Sequence, residues 1–267
     1  MKIGAFIPIR MDSERLPSKA LKHAAGRPIV YHLLDRVVHC RNIKSAKDAV
    51  ICTTPDAVND PLVEAVEAYG ASIYRGDKDD LIKRFKDAAD FFNFDIILQV
   101  DGDDPLADTE YMDLTIDALV DDQDLDAAVS SGLPFGINVK SFTRAALEKV
   151  YASYKSQNND TGFALYFIKS DICRCLEIPP KSQDHVMSNA RLTLDYDEDL
   201  AVFRKILEAL YAEGQVFGLN ELVSFLNEHP EIVSINSDLQ EAYMDRSREK
   251  LDLEYMDANG NSQRIYL

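Results

Sequence analysis

The sequence predicts an α/β protein: a mostly parallel sheet with helices packed on both faces. Two patterns carry the prediction. Short apolar runs alternate with helix-spaced segments four times in the first 120 residues, the mark of strand–helix–strand crossovers. Two of those runs give way at once to charged loops, "RMDSERLPSK" and "DGDDP", and open parallel sheets bind ligands beyond the carboxyl ends of their strands. Both loops should therefore open on one edge of the sheet.

In chain order, "IGAFIPI" (3–9) reads as a buried strand. "RPIVYHLLDRVVHC" (27–40) has apolar residues at helical spacing, with Pro28 suited to a first helical turn. "AVICTT" (49–54) is a second strand. "DPLVEAVEAYG" (60–70) is a helix with Asp60 as its cap, Pro61 at its first position and Gly70 as its stop. "ASIY" (71–74) is a strand, "DDLIKRFKDAADFF" (79–92) an amphipathic helix, "DIILQV" (95–100) a strand and "DTEYMDLTIDALV" (108–120) a helix. The second half is less regular. It reads as a strand at 127–132, an irregular crossing with a short strand over 133–142, and helices at 143–154 and 161–170. "ARLTLDY" (190–196) reads as a strand that runs straight into a helix at 197–214, with Leu200, Phe203, Ile206, Leu207 and Leu210 on one face. Two more helices are expected near 219–227 and 237–252. "DANGN" (257–261) reads as a turn, since it lacks the glycine and the closing acid of a calcium loop.

The formal net charge is −17 over 267 residues. Such a surface repels duplex DNA and anionic membranes, so neither nucleic acid nor membrane is an expected partner. No apolar run approaches the length of a membrane span. The charge is uneven: residues 1–30 carry a net +4, and the other 237 sum to −21. A small basic island in an acidic chain suits a compact anion such as a phosphate chain; the bland alternative is a solvated loop. The four cysteines, Cys40, Cys52, Cys173 and Cys175, show no zinc-ribbon spacing. They read as reduced thiols, and with no leader pattern after Met1 the expected location is cytoplasmic.

The first loop has the logic of phosphate capture. Arg10, Arg15 and Lys19 supply fork-shaped and point-charge donors just past a strand. Neither G-x-x-x-x-G-K-[ST] nor G-x-G-x-x-G occurs. "IPIRMDSERLPSK" followed by "GRPIVYHLLDRV" resembles the opening of the cytidylyltransferase family. The likeness is closest to the spore-coat polysaccharide biosynthesis protein F branch, related to the 3-deoxy-manno-octulosonate and acylneuraminate cytidylyltransferases. It continues through "ICTTPDAVNDPLVEAVEAYGASIYRGDKDDLIKRF" (51–85), "LQVDGDDPL" (98–106) and "RLTLDYDEDL" (191–200). It is strong over 1–110, returns at 190–210, and is weak beyond.

That resemblance implies a Rossmann-like sheet of the nucleotide-diphospho-sugar transferase type with a smaller irregular second lobe. One domain would span 1–267, with a nucleotide-binding half at 1–125, an acceptor-side half at 126–215 and a helical extension at 216–267. It implies transfer of CMP from CTP to an acidic or phosphorylated sugar-like acceptor for surface glycans, by a homodimer. Arg10, Arg15 and Lys19 would take the triphosphate and the catalytic role, with Pro8, Thr54, Arg75 and Asp101 completing the nucleotide site. Asp103, from "DGDDP", and Asp195, from "DYDEDL", would hold Mg²⁺. The residues alone allow this, since Mg²⁺ takes one or two protein carboxylates and both aspartates follow expected strands. "DGDDP" also reads as an acidic turn that caps the next helix.

Asp12 and Ser18 stand where the family commonly has Gly, and Asn159-Asp160-Thr161 where the closest branch has Glu-His-Thr. The last departure bears on the acceptor, for which Lys140, Arg144, Lys155 and Lys169 are candidate partners. Two alternatives remain open at this point. One is a nucleotidyltransferase that uses another nucleoside triphosphate with a sugar 1-phosphate. The other is a non-catalytic nucleotide-binding scaffold of the same fold.

Overall fold

The computed structural model describes residues 1–156, 159 and 162–266. Strand β1 (Ile3–Pro8) ends in the first charged loop. A two-residue hairpin, β2 (His23–Ala24) with β3 (Arg27–Pro28), then leads into α1 (Ile29–His39). β4 (Ala49–Thr53), α2 (Asp60–Tyr69), β5 (Ser72–Arg75), α3 (Leu81–Phe92), β6 (Ile96–Gln99) and α4 (Thr109–Asp121) follow in the expected alternation. Next come β7 (Ala127–Ser130), β8 (Lys140–Thr143), α5 (Arg144–Ser153), the short α6 (Leu165–Ile168) and β9 (Cys175–Ile178). The rest comprises α7 (Asp197–Leu210), α8 (Leu219–Glu228), the one-turn α9 (Pro230–Val233), α10 (Leu239–Lys250) and a hairpin of β10 (Leu253–Met256) with β11 (Ser262–Ile265).

Seven strands form one sheet in the order β5-β4-β1-β6-β8-β7-β9. Only β8 runs against its neighbours. Along β1, Ala5 and Ile7 enter one core with residues of α1, α4 and α7, while Phe6 enters the other with residues of α3 and α5. Both faces of the strand are covered, which is why its sequence is apolar throughout rather than alternating. The chain leaves β1 towards β4 and β5, then returns to the other side of β1 with β6. Strand order therefore reverses at the β1–β6 pair, and a crevice opens beyond their carboxyl ends.

Three expectations need correction. Residues 190–196 form no sheet strand. The segment is extended, with a single parallel bridge from Phe135 to Arg191, because its backbone pairs with the loops of the crevice instead of the sheet. The C-terminal extension is not wholly helical, since its last part is the β10–β11 hairpin, with Asp257–Asn261 as its turn. The helix expected at 161–170 is α6 alone among the described residues, and Thr161 lies outside them. The edge strand β9 was not expected: Leu176 and Glu177 are both exposed, which hides a buried-strand pattern. All four cysteines are free thiols, with Cys40 and Cys52 buried. Among the described residues, no helix is long and apolar enough to cross a membrane.

Candidate active site

Three segments meet at the crevice. The loop after β1 is closed by the Ser18 N–H donating to the Met11 carbonyl (3.2 Å). It is pinned to the next crossover by the Met11 N–H on Asn59 Oδ1 (3.0 Å). Ser18 itself sits at φ 56°, ψ 28°, so the position where the family commonly has Gly does take the left-handed conformation that Gly adopts most cheaply. The loop after β6 presses against the first: a Cβ on Gly102 would lie 2.5 Å from the Pro8 carbonyl oxygen. Residues 190–196 run alongside, with the Leu194 N–H donating to the Asp103 carbonyl and the Leu192 N–H to the Phe135 carbonyl, each at 2.7 Å. At Gly136, φ is 92° and a Cβ would stand 2.2 Å from the Leu192 carbonyl oxygen, so a side chain there would push this segment away.

Lys19 is the centre of the site. Its Nζ donates to Asp103 Oδ2 (3.1 Å), Asp195 Oδ1 (3.0 Å) and the Leu194 carbonyl (2.8 Å). Arg15 Nη2 donates to the same Asp195 oxygen (2.5 Å), and Arg191 Nη2 to the other (3.3 Å). Asp195 is fully buried and is held by three cations; Asp103, partly exposed, pairs with Lys19 alone among the described residues. Burial opposes the charge on Lys19, but Asp103 and Asp195 outweigh it and raise the ammonium above its usual range. Burial likewise pushes the Asp103 carboxyl up, and Lys19 outweighs it, so that carboxyl lies below its usual range. Asp104, buried beside Asp103 and Asp101, goes the other way. Burial first, then those two acids, raise its carboxyl well above the usual value.

Behind Asp195 lies a buried support. Asp199 accepts from Arg191 Nε (3.0 Å), Asn236 Nδ2 (2.8 Å) and the backbone N–H groups of Asp195 (2.9 Å) and Tyr196 (3.0 Å). Two cavities, of about 390 and 580 Å³, share Arg10, Arg15, Asp101 and Asp103 as walls. Pro8 and Lys19 line only the first; Asp104, Lys140 and Thr193 line only the second.

A cytidylyltransferase family model matches residues 5–217. The chain belongs to the cytidylyltransferase family. An uncharacterized protein of Methanocaldococcus jannaschii is 25% identical over 242 residues, covering 90% of this chain and 97% of that protein. A 3-deoxy-manno-octulosonate cytidylyltransferase of Geotalea daltonii is 29% identical over 208 residues, 77% of this chain and 76% of its own. Among solved structures, a cytidylyltransferase from Leptospira borgpetersenii superposes with a TM-score of 0.79 at 27% identity, over 87% of this chain and 97% of that one. A CMP:2-keto-3-deoxy-manno-octonic acid synthetase complexed with CTP shares the fold, with a TM-score of 0.58 at 18% identity, over 78% of this chain and 99% of that one.

Of the residues that the cytidylyltransferase resemblance singles out, Pro8, Arg10, Arg15, Lys19, Asp101, Asp103 and Asp195 come together at the crevice. Arg10 lies 3.7 Å from Asp12, which lines the same cavity. Asp101 accepts from Lys140 Nζ (2.6 Å) and Gln99 Nε2 (2.7 Å). Two residues are not brought in. Thr54 is buried and is bonded to Asp56 and Asn59, one residue behind the first loop. Arg75 pairs with Asp60 (2.5 Å) at the end of β5 and lines neither cavity.

Of the four second-half cations, Lys140 alone lines either of these two cavities; Arg144 caps the backbone carbonyls of Ala89 and Phe94, and Lys169 that of Tyr266. Asn159 is buried and accepts from the Leu81 (2.8 Å) and Ile82 (3.2 Å) N–H groups at the start of α3, while Asp160 and Thr161 lie outside the described residues.

Sequence reasoning missed Asn59, Arg191, Asp199, Asn236 and the α10 residues that line the cavities. Arg191 and Asp199 stood inside a quoted motif; their signal was an Arg and an acid either side of Asp195. The donor set fits Mg²⁺, which uses few protein ligands and keeps water and phosphate oxygens for the rest. Asp103, paired with one cation, is the accessible donor.

Proposed function

We propose that this chain is a Mg²⁺-dependent cytidylyltransferase that moves CMP from CTP to an anionic, sugar-like acceptor and releases pyrophosphate, in the synthesis of surface glycans. The observation that carries this reading is Lys19, held between Asp103 and Asp195 beyond the ends of β1 and β6. The site sets cations for a polyphosphate directly against acids for its metal. Relatives named 3-deoxy-manno-octulosonate cytidylyltransferase support CTP as donor and an acidic sugar as acceptor.

In this reading Arg10, Arg15 and Lys19 meet the triphosphate, whose oxygens replace the carboxylates as their partners. Asp103 and Asp195 hold the metal, which when bound draws charge from the phosphate oxygens. An acceptor oxygen attacks the α-phosphorus as the bond from that phosphorus to the bridging oxygen breaks. Pyrophosphate leaves with the electron pair, and a hydroxyl acceptor loses its proton to water. Catalysis here is positioning and charge stabilisation: the acceptor is held in line, and Arg15 and Lys19 face the charge that builds on the leaving group.

The test is a calorimetric titration with CTP, UTP, GTP, ATP and dTTP, each with and without Mg²⁺. Binding of CTP above the others, strengthened by Mg²⁺, is expected. Preference for another nucleotide replaces the donor, and no binding of any of them refutes the reading.

A further inference from the structure

Helix α10 has no buried residue, yet it lies across the crevice. A helix without an apolar face needs another reason to dock. Its first half is anchored on the site. Gln240 Oε1 accepts from Arg191 Nη1 (3.0 Å), and the Tyr243 ring lies 4.7 Å from the Arg191 guanidinium and edge-on to Phe135 at 5.3 Å. Its far end runs into β10, which is paired to residue 154 by an isolated bridge. The helix therefore straps the α7–α8 side of the molecule to the α3–α5 side.

Its charges are sorted by face. Tyr243, Arg246, Ser247 and Lys250, at helical three- and four-residue spacing, line the cavities. Glu241, Asp245 and Glu249 do not. Arg246 and Lys250 line both cavities, and neither forms a salt bridge among the described residues. The other cavity cations differ: Arg15 and Lys19 hold Asp195, Lys140 holds Asp101, Arg10 faces Asp12, and Arg84 donates to the Asp77 and Lys78 carbonyls.

We infer that Arg246 and Lys250 form the anion-binding end of the acceptor site, and that the acceptor carries a phosphate monoester. The deepening rests on the cytidylyltransferase reading above. Two positive charges with no salt bridge among the described residues match the two negative charges of a phosphate monoester better than the single charge of a carboxylate. The same cavity is lined by Asp101, Asp103 and Asp104, and its cations Lys140 and Arg15 are engaged by Asp101 and Asp195, which leaves Arg246 and Lys250 as the cations without a salt bridge among the described residues. The acceptor therefore lies with its phosphate under α10 and its attacking oxygen towards the aspartates, where the donor's α-phosphate is reached.

The test is calorimetry on the full chain with Mg²⁺ and CMP present, so that no transfer occurs. The probes are glycerol 3-phosphate and glycerate, which differ in their anionic group; CTP with Mg²⁺ is titrated separately. In Arg246→Gln and in Lys250→Gln, glycerol 3-phosphate should bind at least about tenfold more weakly, the loss of one charged hydrogen bond. CTP should keep its affinity within about twofold. Arg248→Gln, which loses only a surface pair with Asp245, should change neither. Glycerate should bind wild type more weakly than glycerol 3-phosphate.

The inference is overturned if glycerol 3-phosphate does not bind wild type, if both variants bind it normally, or if glycerate binds as well. It is also overturned if CTP weakens in step with glycerol 3-phosphate, which would give the two cations to the donor's phosphates. Failure of CTP to bind wild type would sink the donor reading instead and leave the glycerol 3-phosphate arm to decide this one.

Discussion

Asp199 is where the geometry of the site is most exposed to a single atom. Its Oδ1 accepts from Arg191 Nε (3.0 Å) and Asn236 Nδ2 (2.8 Å). Its Oδ2 accepts from Arg191 Nη2 (3.3 Å) and from the N–H groups of Asp195 (2.9 Å) and Tyr196 (3.0 Å). Asp199→Asn replaces one of these oxygens by an NH₂ group. Either orientation of the amide points that group at two or more donors, and the buried Arg191 loses one of its two carboxylate partners. Breaking a buried ion pair by removing one partner costs about 3–5 kcal/mol.

For a chain of this size that is a fall in melting temperature of roughly 6–10 °C. The assay is urea denaturation with thermal melting, with Asp197→Asn and Glu198→Gln as controls. Those two acids share the sequence motif but are exposed, and each should stay within about 0.5 kcal/mol of wild type. CTP affinity should fall in Asp199→Asn as well, because the Asp195 N–H loses its anchor. A loss under about 1 kcal/mol, or an equal loss in the exposed controls, would refute the claim that this network holds Asp195 in place.

Asp104→Asn should raise the melting temperature at pH 8, with the gain vanishing by pH 4. The folded carboxyl binds its proton more tightly than the unfolded one, so wild-type stability falls as pH climbs from the unfolded value through the folded one. Melting curves across that range that run parallel for the two proteins would count against it. Ser18→Gly should stabilise by about 0.5–1 kcal/mol, as relief of a left-handed serine outweighs the entropy of glycine; a destabilised variant in urea titration would mean that Ser18 makes a contact the loop needs. Arg15→Ala should weaken CTP binding at least about tenfold, whereas Arg75→Ala, bonded to Asp60 outside both cavities, should leave it within about twofold by calorimetry.

The parallel half of the fold was legible because its strands are apolar on both faces and its helices carry their stops, such as Gly70 at φ 96° ending α2. The segment 190–196 was misread as a strand for a physical reason. Leu192 and Leu194 are buried like strand residues, but the partners of their backbone are the loops at Phe135 and Asp103, which carry no strand pattern. Arg10, Arg15, Lys19 and Asp103 were legible from local motifs. Thr54 and Arg75 stand in the separate block at 51–85 and turn away to partners within about twenty residues. Arg246 and Lys250 were invisible because a polar helix near the C-terminus reads as solvated; only its docking over the crevice gives its charges a direction.

The basic island at the start of the chain is not left unpaired. Lys19 and Arg15 meet Asp195, which stands 176 and 180 residues away in sequence, so cations and acids neutralise each other inside the crevice. On the reading proposed above, binding a metal-bound polyphosphate there would be an exchange of partners: the cations would move from carboxylate to phosphate, and the freed carboxylates would turn to the metal. On that reading metal alone would leave Lys19 and Arg15 without a carboxylate, and polyphosphate alone would leave Asp103 without its cation and Asp195 with Arg191 only, each at a cost. Nucleotide and metal should therefore assist one another's binding at this site, by the same coupling energy in both directions. The strap of α10 adds what the exchange would not use, two cations that form no salt bridge among the described residues.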